Sequence, residues 1–282
     1  MLLRSLLLLL IVATFAGCGG DDTDYLVTIK TPYGDMKAIL YEETPLHKQN
    51  FIKLAESGQY DSTIFHRVIE NFMVQGGDVN AKPGNENAID YTIPAEFVNK
   101  FVHEKGALAA ARQGDNVNPQ KESSGCQFYI AQGIVYDENA LTTDFYKLNM
   151  AIRQLLQDSA YTGLRDQFVA LQQAGDNQGI QDLTLQYKDT VISRFNAQVT
   201  KDVAPEQLAA YTTVGGIPHL DYAYTVFGKV VEGIEVMDKI AAQPTGRADK
   251  PIEDIFMTVQ LEKVSKSAIT EKYGYEYPND PS

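Results

Sequence analysis

From Tyr25 onward apolar and polar positions alternate with a period of two, Leu26, Thr28 and Lys30 on one side and Val27, Ile29 and Thr31 on the other. Successive side chains of a strand point to opposite faces, so this pattern predicts a strand. Pro32-Tyr33-Gly34-Asp35 supplies turn chemistry before Met36–Tyr41, and the two segments read as a β-hairpin. Thr44 followed by Pro45 predicts a helix start, because proline's fixed φ suits the first turn and its missing N–H is not needed there. Gly58 predicts the end of that helix, with an apolar stripe of Leu46, Phe51 and Leu54 broken by Asn50. Short strands are predicted at Thr63–Ile69, Phe72–Gln75, Gly106–Ala111, Gln127–Ala131, Tyr224–Val231 and Ile255–Val264, and a helix at Ile234–Ala242. Many short strands, few helices and no strand–helix–strand alternation predict a mainly β chain, an antiparallel sheet or barrel.

Between residues 136 and 214 the period changes. Phe145, Leu148, Ile152 and Leu155 recur at helical spacing, as do Tyr161, Leu164, Phe168 and Leu171, and then Ile180, Leu183, Tyr187 and Val191. These stripes predict three or four helices inserted into the β domain, packing on one another rather than on a cofactor. The domain then comprises residues 25–135 and 215–266, interrupted by the helical insertion 136–214. The polar segment 267–282 reads as a poorly ordered tail.

The first residues are an address. Arg4 precedes an apolar run from Leu6 to Ala16, which as a helix spans only about 16 Å, roughly half a bilayer core. A charged start, a short apolar stretch and small residues before a cut describe an export signal over residues 1–17. Phe15-Ala16-Gly17-Cys18 resembles the lipobox of bacterial lipoproteins, with Phe15 where that family more often has Leu. The resemblance implies acylation of Cys18 and a chain exported and anchored by lipid to a bacterial membrane, on the periplasmic side or the cell surface. Residues 18–24 then form an acidic tether.

The 282 residues carry 24 Lys+Arg against 37 Asp+Glu, a formal charge of −13. No basic run appears, so neither nucleic acid nor anionic headgroups find a positive surface, and attachment to a membrane falls to the lipid. Two cysteines are too few for a disulfide scaffold or a cysteine-based structural zinc site, and Cys126 reads as a buried, inert thiol. His47, His66 and His103 show neither metal spacing nor a nucleophile partner, and Asp78 and Asp221 read as turn-forming carboxylates. No metal or cofactor is expected.

Four segments carry the candidate chemistry. The first is Phe65-His66-Arg67-Val68-Ile69-Glu70-Asn71-Phe72-Met73-Val74-Gln75-Gly76-Gly77-Asp78, an arginine beside apolar side chains, where its hydrogen bonds count for more than in water. The others are Gly106–Arg112, Ser124–Ile130 and His219–Val230. In this order they resemble the cyclophilins, a family of peptidyl-prolyl cis/trans isomerases. The resemblance runs over about residues 25–135 and 215–265. It implies a closed eight-stranded antiparallel barrel capped by two helices, those at residues 45–57 and 234–242, with the helical subdomain inserted.

The activity so implied needs no covalent step. Rotating a peptide bond costs about 18–20 kcal/mol, while the two X-Pro isomers differ by only about 0.5–1 kcal/mol. An isomerase has only to bind the twisted amide better than either planar form. The twisted prolyl nitrogen regains a lone pair, and one fixed donor aimed at it is worth about 3–4 kcal/mol by analogy with oxyanion holes. By resemblance Arg67 is that donor, and Phe72, Met73, Phe128 and Leu220 form the proline cup. Gln75 orients the arginine or the substrate backbone, Ala110, Ala111 and Arg112 run along the substrate chain through their backbone groups, and Gln127 contacts the peptide. His219 stands where the best-known members have a tryptophan associated with cyclosporin, and Tyr224 where they have a pocket histidine, so weak cyclosporin binding is expected.

The implied substrates are proline-containing segments of exported polypeptides. The alternative is a peptide clamp or chaperone whose insertion captures a protein partner. Chain order sets the insertion between strands that flank the pocket, over or beside the substrate groove.

Overall fold

The computed structural model describes residues 22–86 and 88–278, so the export signal and Cys18 lie outside the described residues. The strands are β1 (Thr23–Thr31), β2 (Gly34–Leu40), β3 (Thr63–Ile64), β4 (Arg67–Ile69), β5 (Met73–Gly76), β6 (Thr92–Ile93), β7 (Ala107–Ala110), β8 (Ser123–Ser124), β9 (Phe128–Ala131), β10 (Val226–Glu232) and β11 (Phe256–Ser265). The helices are α1 (Pro45–Glu56), α2 (Glu138–Leu141), α3 (Phe145–Leu155), α4 (Thr162–Ala174), α5 (Asn177–Gln186), α6 (Lys188–Phe195), α7 (Pro205–Thr213), α8 (Ile234–Ala241) and α9 (Lys266–Tyr273).

The expected closed eight-stranded barrel is corrected to a curled nine-stranded antiparallel sheet whose ladder does not close. Its order is β3-β11-β1-β2-β10-β7-β9-β5-β4, with a separate β6-β8 pair. The reason lies in Phe65-His66, where the single strand expected over 63–69 divides. Phe65 N–H donates to Ile255 O at 2.9 Å and His66 N–H to Gln75 O at 3.0 Å. The chain thus leaves one neighbour for the other within two residues, and the sheet's two edges are joined by covalent chain instead of a ladder.

Inside the curl, alternate residues of these strands (Val27, Ile29, Met36, Ala38, Val68, Val74, Leu108, Phe128 and Ile130 among them) make one buried core with Phe51 and Leu54 of α1 and Met237 and Ile240 of α8. The two capping helices are as expected, with one change of face. Leu46 is exposed, whereas His47 is buried, its Nδ1–H donating to Glu96 Oε2 at 2.7 Å and its Nε2 2.9 Å from Ser123 Oγ. Glu96 also accepts from the backbone N–H groups of Leu46 and His47, taking the capping role that the Thr44 side chain leaves open.

The insertion holds six α-helices, α2 to α7, where three or four were expected. Leu148, Ile152, Leu155, Leu164, Leu183 and Val191 form a core of their own, as their helical spacing predicts. Its neck is narrow. Ile134 and Gly216 pair, and a Cβ on Gly133 would lie 1.9 Å from Gly216 O, so the two crossing strands of chain leave no room for a side chain.

Both ends of the domain are more ordered than expected. Thr23 and Asp24, assigned to the tether, belong to β1, and buried Asp24 accepts from Lys48 Nζ at 2.6 Å and from Tyr277 Oη at 2.9 Å. The tail forms α9, with Ile269 and Tyr275 buried against Tyr41 and Leu26. Ile269 within the helix and Tyr275 just past its end anchor this otherwise polar segment.

Candidate active site

Four strands present the site on the outer face of the sheet. In the ladder Arg67 pairs with Gln75, Gln75 with Tyr129, and Tyr129 with Ala109, so the four lie in one cross-strand row. Met73, two residues from Gln75, shares that face. Beside them is a small cavity of about 90 Å³ lined by Arg67, Phe72, Met73, Gln75, Ala111, Arg112, Tyr129, Leu220 and Tyr224. That is well below the ~300–1,000 Å³ of a site for a drug-sized ligand, and is the scale of one small side chain. A larger groove of about 440 Å³ adjoins it, sharing Gln75, Ala111 and Arg112.

Arg67 stands at the rim, its side chain 42% exposed. Its Nε–H donates to Asp249 Oδ2 at 3.3 Å. Asp249 follows Ala248 in a tight turn, and both are non-glycine residues with positive φ, +58° and +60°. Such backbone is uncommon and places the carboxylate beside the guanidinium. Gln75 does not orient the arginine by a hydrogen bond; its Nε2 donates to Gln127 Oε1 at 3.1 Å, so the two amides form one polar wall.

Phe128 is corrected. It is 1% exposed and packs inside the curl, its ring edge-on to Phe51 and Tyr60. Tyr129 lines the cavity in its place. A strand turns successive side chains to opposite faces, so a one-residue slip exchanges core for site. Ala110 is likewise corrected: it belongs to the interior core, and its N–H donates to Thr225 O. The backbone of Ala111 is also engaged, its N–H donating to Gln127 O and its carbonyl accepting from Ser124 N–H.

Arg112 contributes its side chain as a structural post. Nε donates to Ala223 O at 2.6 Å, Nη1 to Gln113 O at 2.8 Å, and the guanidinium lies 4.5 Å from the centroid of the Tyr224 ring. Tyr224 is thereby fixed as a wall of the cavity. His219 stacks on Phe72 at 5.8 Å with rings only 6° from parallel, but it is exposed and does not line the cavity.

Among the described residues, none from 136 to 214 lines either cavity, so the insertion does not overhang the groove. Asp221, read as a turn former, instead accepts from the backbone N–H and the ring Nδ1–H of His103, each at 2.9 Å. Burial opposes its charge, but the hydrogen bonds from His103 and Tyr211 prevail and hold its carboxyl below the ordinary value. Cys126 is buried, and burial pushes its thiol up, as expected of an inert cysteine.

Known proteins are similar to this chain in sequence. A Streptococcus pyogenes protein assigned as a bifunctional phosphatase/peptidyl-prolyl cis-trans isomerase is 31% identical over 82% of this chain, which spans 37% of that relative's length. A Staphylococcus haemolyticus protein assigned as a peptidyl-prolyl cis-trans isomerase is 29% identical over 83% of this chain and 89% of its own. Among solved structures, the Cryptosporidium parvum cyclophilin type peptidyl-prolyl cis-trans isomerase aligns over 84% of this chain and 96% of its own at 20% identity, with a TM-score of 0.49. The family model described as "Cyclophilin type peptidyl-prolyl cis-trans isomerase/CLD" matches residues 26–145 and 168–260, the unmatched stretch between them falling in α3 and α4 of the insertion, and the chain belongs to that family.

Proposed function

We propose that this isomerase turns X-Pro bonds by seating the proline ring in the 90 Å³ cavity and stabilising the twisted amide with Arg67. Phe72, Met73, Tyr129, Leu220 and Tyr224 supply the apolar walls, which hold the ring while the preceding carbonyl swings. With Nε engaged by Asp249, the guanidinium fork is oriented and its outer N–H groups are left for substrate. The polar wall of Gln75 and Gln127 receives the substrate backbone, which continues into the larger groove. One donor supplies only part of the ~18–20 kcal/mol barrier, and confinement of the ring supplies orientation. The observation that carries this reading is the charged guanidinium at the mouth of a small apolar hollow. A protease-coupled assay on a proline tetrapeptide tests it: wild type accelerates exchange and Arg67→Ala does not, whereas equal rates would remove it.

The clients we propose are exported polypeptides, with Cys18 acylated and the catalytic domain held at a membrane. The export signal and the lipobox-like Phe15–Cys18 support this. Metabolic labelling with a palmitate analogue, lost in Cys18→Ser, is the test. A second role, capture of a protein partner by the insertion, draws support from Tyr146 and Met150, which stand exposed one turn apart on α3 outside the insertion's own core.

A further inference from the structure

The role proposed above for Tyr129 uses its ring and not its hydroxyl, which is tied into a deeply buried polar chain. While the ring lines the cavity, Oη lies 2.9 Å from Nε2 of His103. The Asp221 carboxylate only accepts, so its bond to Nδ1 puts a hydrogen there, and Nε2 is left to pair with the Tyr129 hydroxyl. Asp221 also accepts from the hydroxyl of Tyr211, whose oxygen lies 2.7 Å and 2.8 Å from the two carboxylate oxygens, and from Gln207 Nε2 at 2.8 Å. Tyr211 and Gln207 belong to α7, the last helix of the insertion.

His103 and Tyr211 are 0% exposed, and the Asp221 side chain 3%. At such burial a hydrogen-bonded chain is stiff, because an unpaired member has no water to turn to. The Tyr224 ring packs edge-on against both His103 and Tyr129, so two walls of the cavity rest on the same support. The insertion's neck ends in this chain: Ile217 N–H donates to His103 O at 2.8 Å.

We propose that the helical insertion sets the shape of the proline pocket from behind, through Tyr211, Asp221 and His103 to the ring of Tyr129, although no residue of the insertion lines the pocket. Tyr211 and His103 are positioning residues, and Tyr129 is the pocket residue they act upon. The inference rests on the pocket's assignment to proline. It makes the insertion a determinant of how tightly a proline segment seats, separate from the Arg67 donor that acts on the bond.

The experiment is an NMR titration of the full domain with a proline tetrapeptide, reading peptide affinity and cis–trans exchange of the bound peptide independently. Tyr211→Phe removes one hydroxyl and leaves Asp221 three other donors. It is expected to weaken peptide affinity about three- to ten-fold while bound-state exchange persists. In a Tyr129→Phe background, where the chain is already cut, Tyr211→Phe is expected to add nothing. Should Tyr211→Phe fail to give a folded spectrum, Gln207→Ala, at the outer end of the chain, is expected to shift affinity in the same direction and by less. Wild-type affinity in the folded variants, or an equal loss in both backgrounds, overturns the proposal. Absence of exchange in the wild type would instead remove the isomerase reading of the pocket, while the affinities still decide the coupling.

Discussion

Arg67 Nε and Asp249 Oδ2 are 3.3 Å apart, an ion pair between β4 and a turn that lies 182 residues further along the chain. Both side chains are about half exposed, so the pair contributes little stability and acts on orientation. Arg67→Ala is expected to lower kcat/KM roughly 100- to 1,000-fold, the loss typical of a single transition-state donor. Arg67→Lys restores the charge without the fork and is expected to recover little of it. Asp249→Ala leaves the guanidinium in place but unguided, for an expected loss within about five-fold and an unfolding free energy changed by less than about 1 kcal/mol. A coupled assay with a parallel urea titration reads all three, and an Asp249→Ala loss as deep as that of Arg67→Ala would show the carboxylate to be part of the machinery.

Phe128 and Tyr129 are neighbours with opposite duties. Phe128→Ala empties a site 1% exposed inside the curl, and is expected to cost about 3–5 kcal/mol of stability. Tyr129→Ala opens the pocket wall instead, and is expected to raise KM as well as to cost stability, since its ring is buried and its hydroxyl is the partner of His103. Paired chemical denaturation and kinetics separate them, and the reverse assignment would show as a stable Phe128→Ala with a crippled KM.

That pair also marks how far the sequence could be read. The strand alternation around Gln127–Ala131 was visible, and counting it from Gln75 through the ladder distinguishes the two aromatics. Without the register, which only the folded sheet supplies, Phe128 and Tyr129 are equivalent aromatic candidates. Arg67, Phe72, Met73 and Leu220 were legible because they sit in one dense motif or at a motif's edge. Asp249 was not, because its role depends on a turn with two left-handed residues and no local pattern points to it. The helical stripes of the insertion were legible as a core, but not the reach of Tyr211, since a polar contact to Asp221 leaves no periodicity.

His219 lies parallel to Phe72 at the surface, its ring smaller than an indole. His219→Trp is expected to tighten cyclosporin binding by about ten-fold or more, because a buried indole is a frequent source of interface energy. Isothermal titration of both proteins checks it. Tight binding by the wild type would show that the histidine already serves.

Acid acts on the frame and not on the chemistry. Burial pushes His47 and His66 below the ordinary value of 6.5, against the pull of Glu96 on the first and Asp78 on the second. The Nδ1 of His66 is buried without a partner, so charging it in place would be costly. Below about pH 6.5 the unfolded chain takes up protons that the folded chain refuses, so stability falls as the pH drops from there toward the folded values. Asp221, held low, extends the loss to more acid conditions, since its contribution disappears as the pH falls through its folded value. An arginine donor keeps its charge throughout, so kcat/KM per folded molecule is expected to stay level over the same range. Urea midpoints that decline from about pH 7 to pH 5 beside a flat rate profile are the expected pair. A rate that titrates while the fold does not would place a proton transfer in the reaction, which an isomerase of this design does not use.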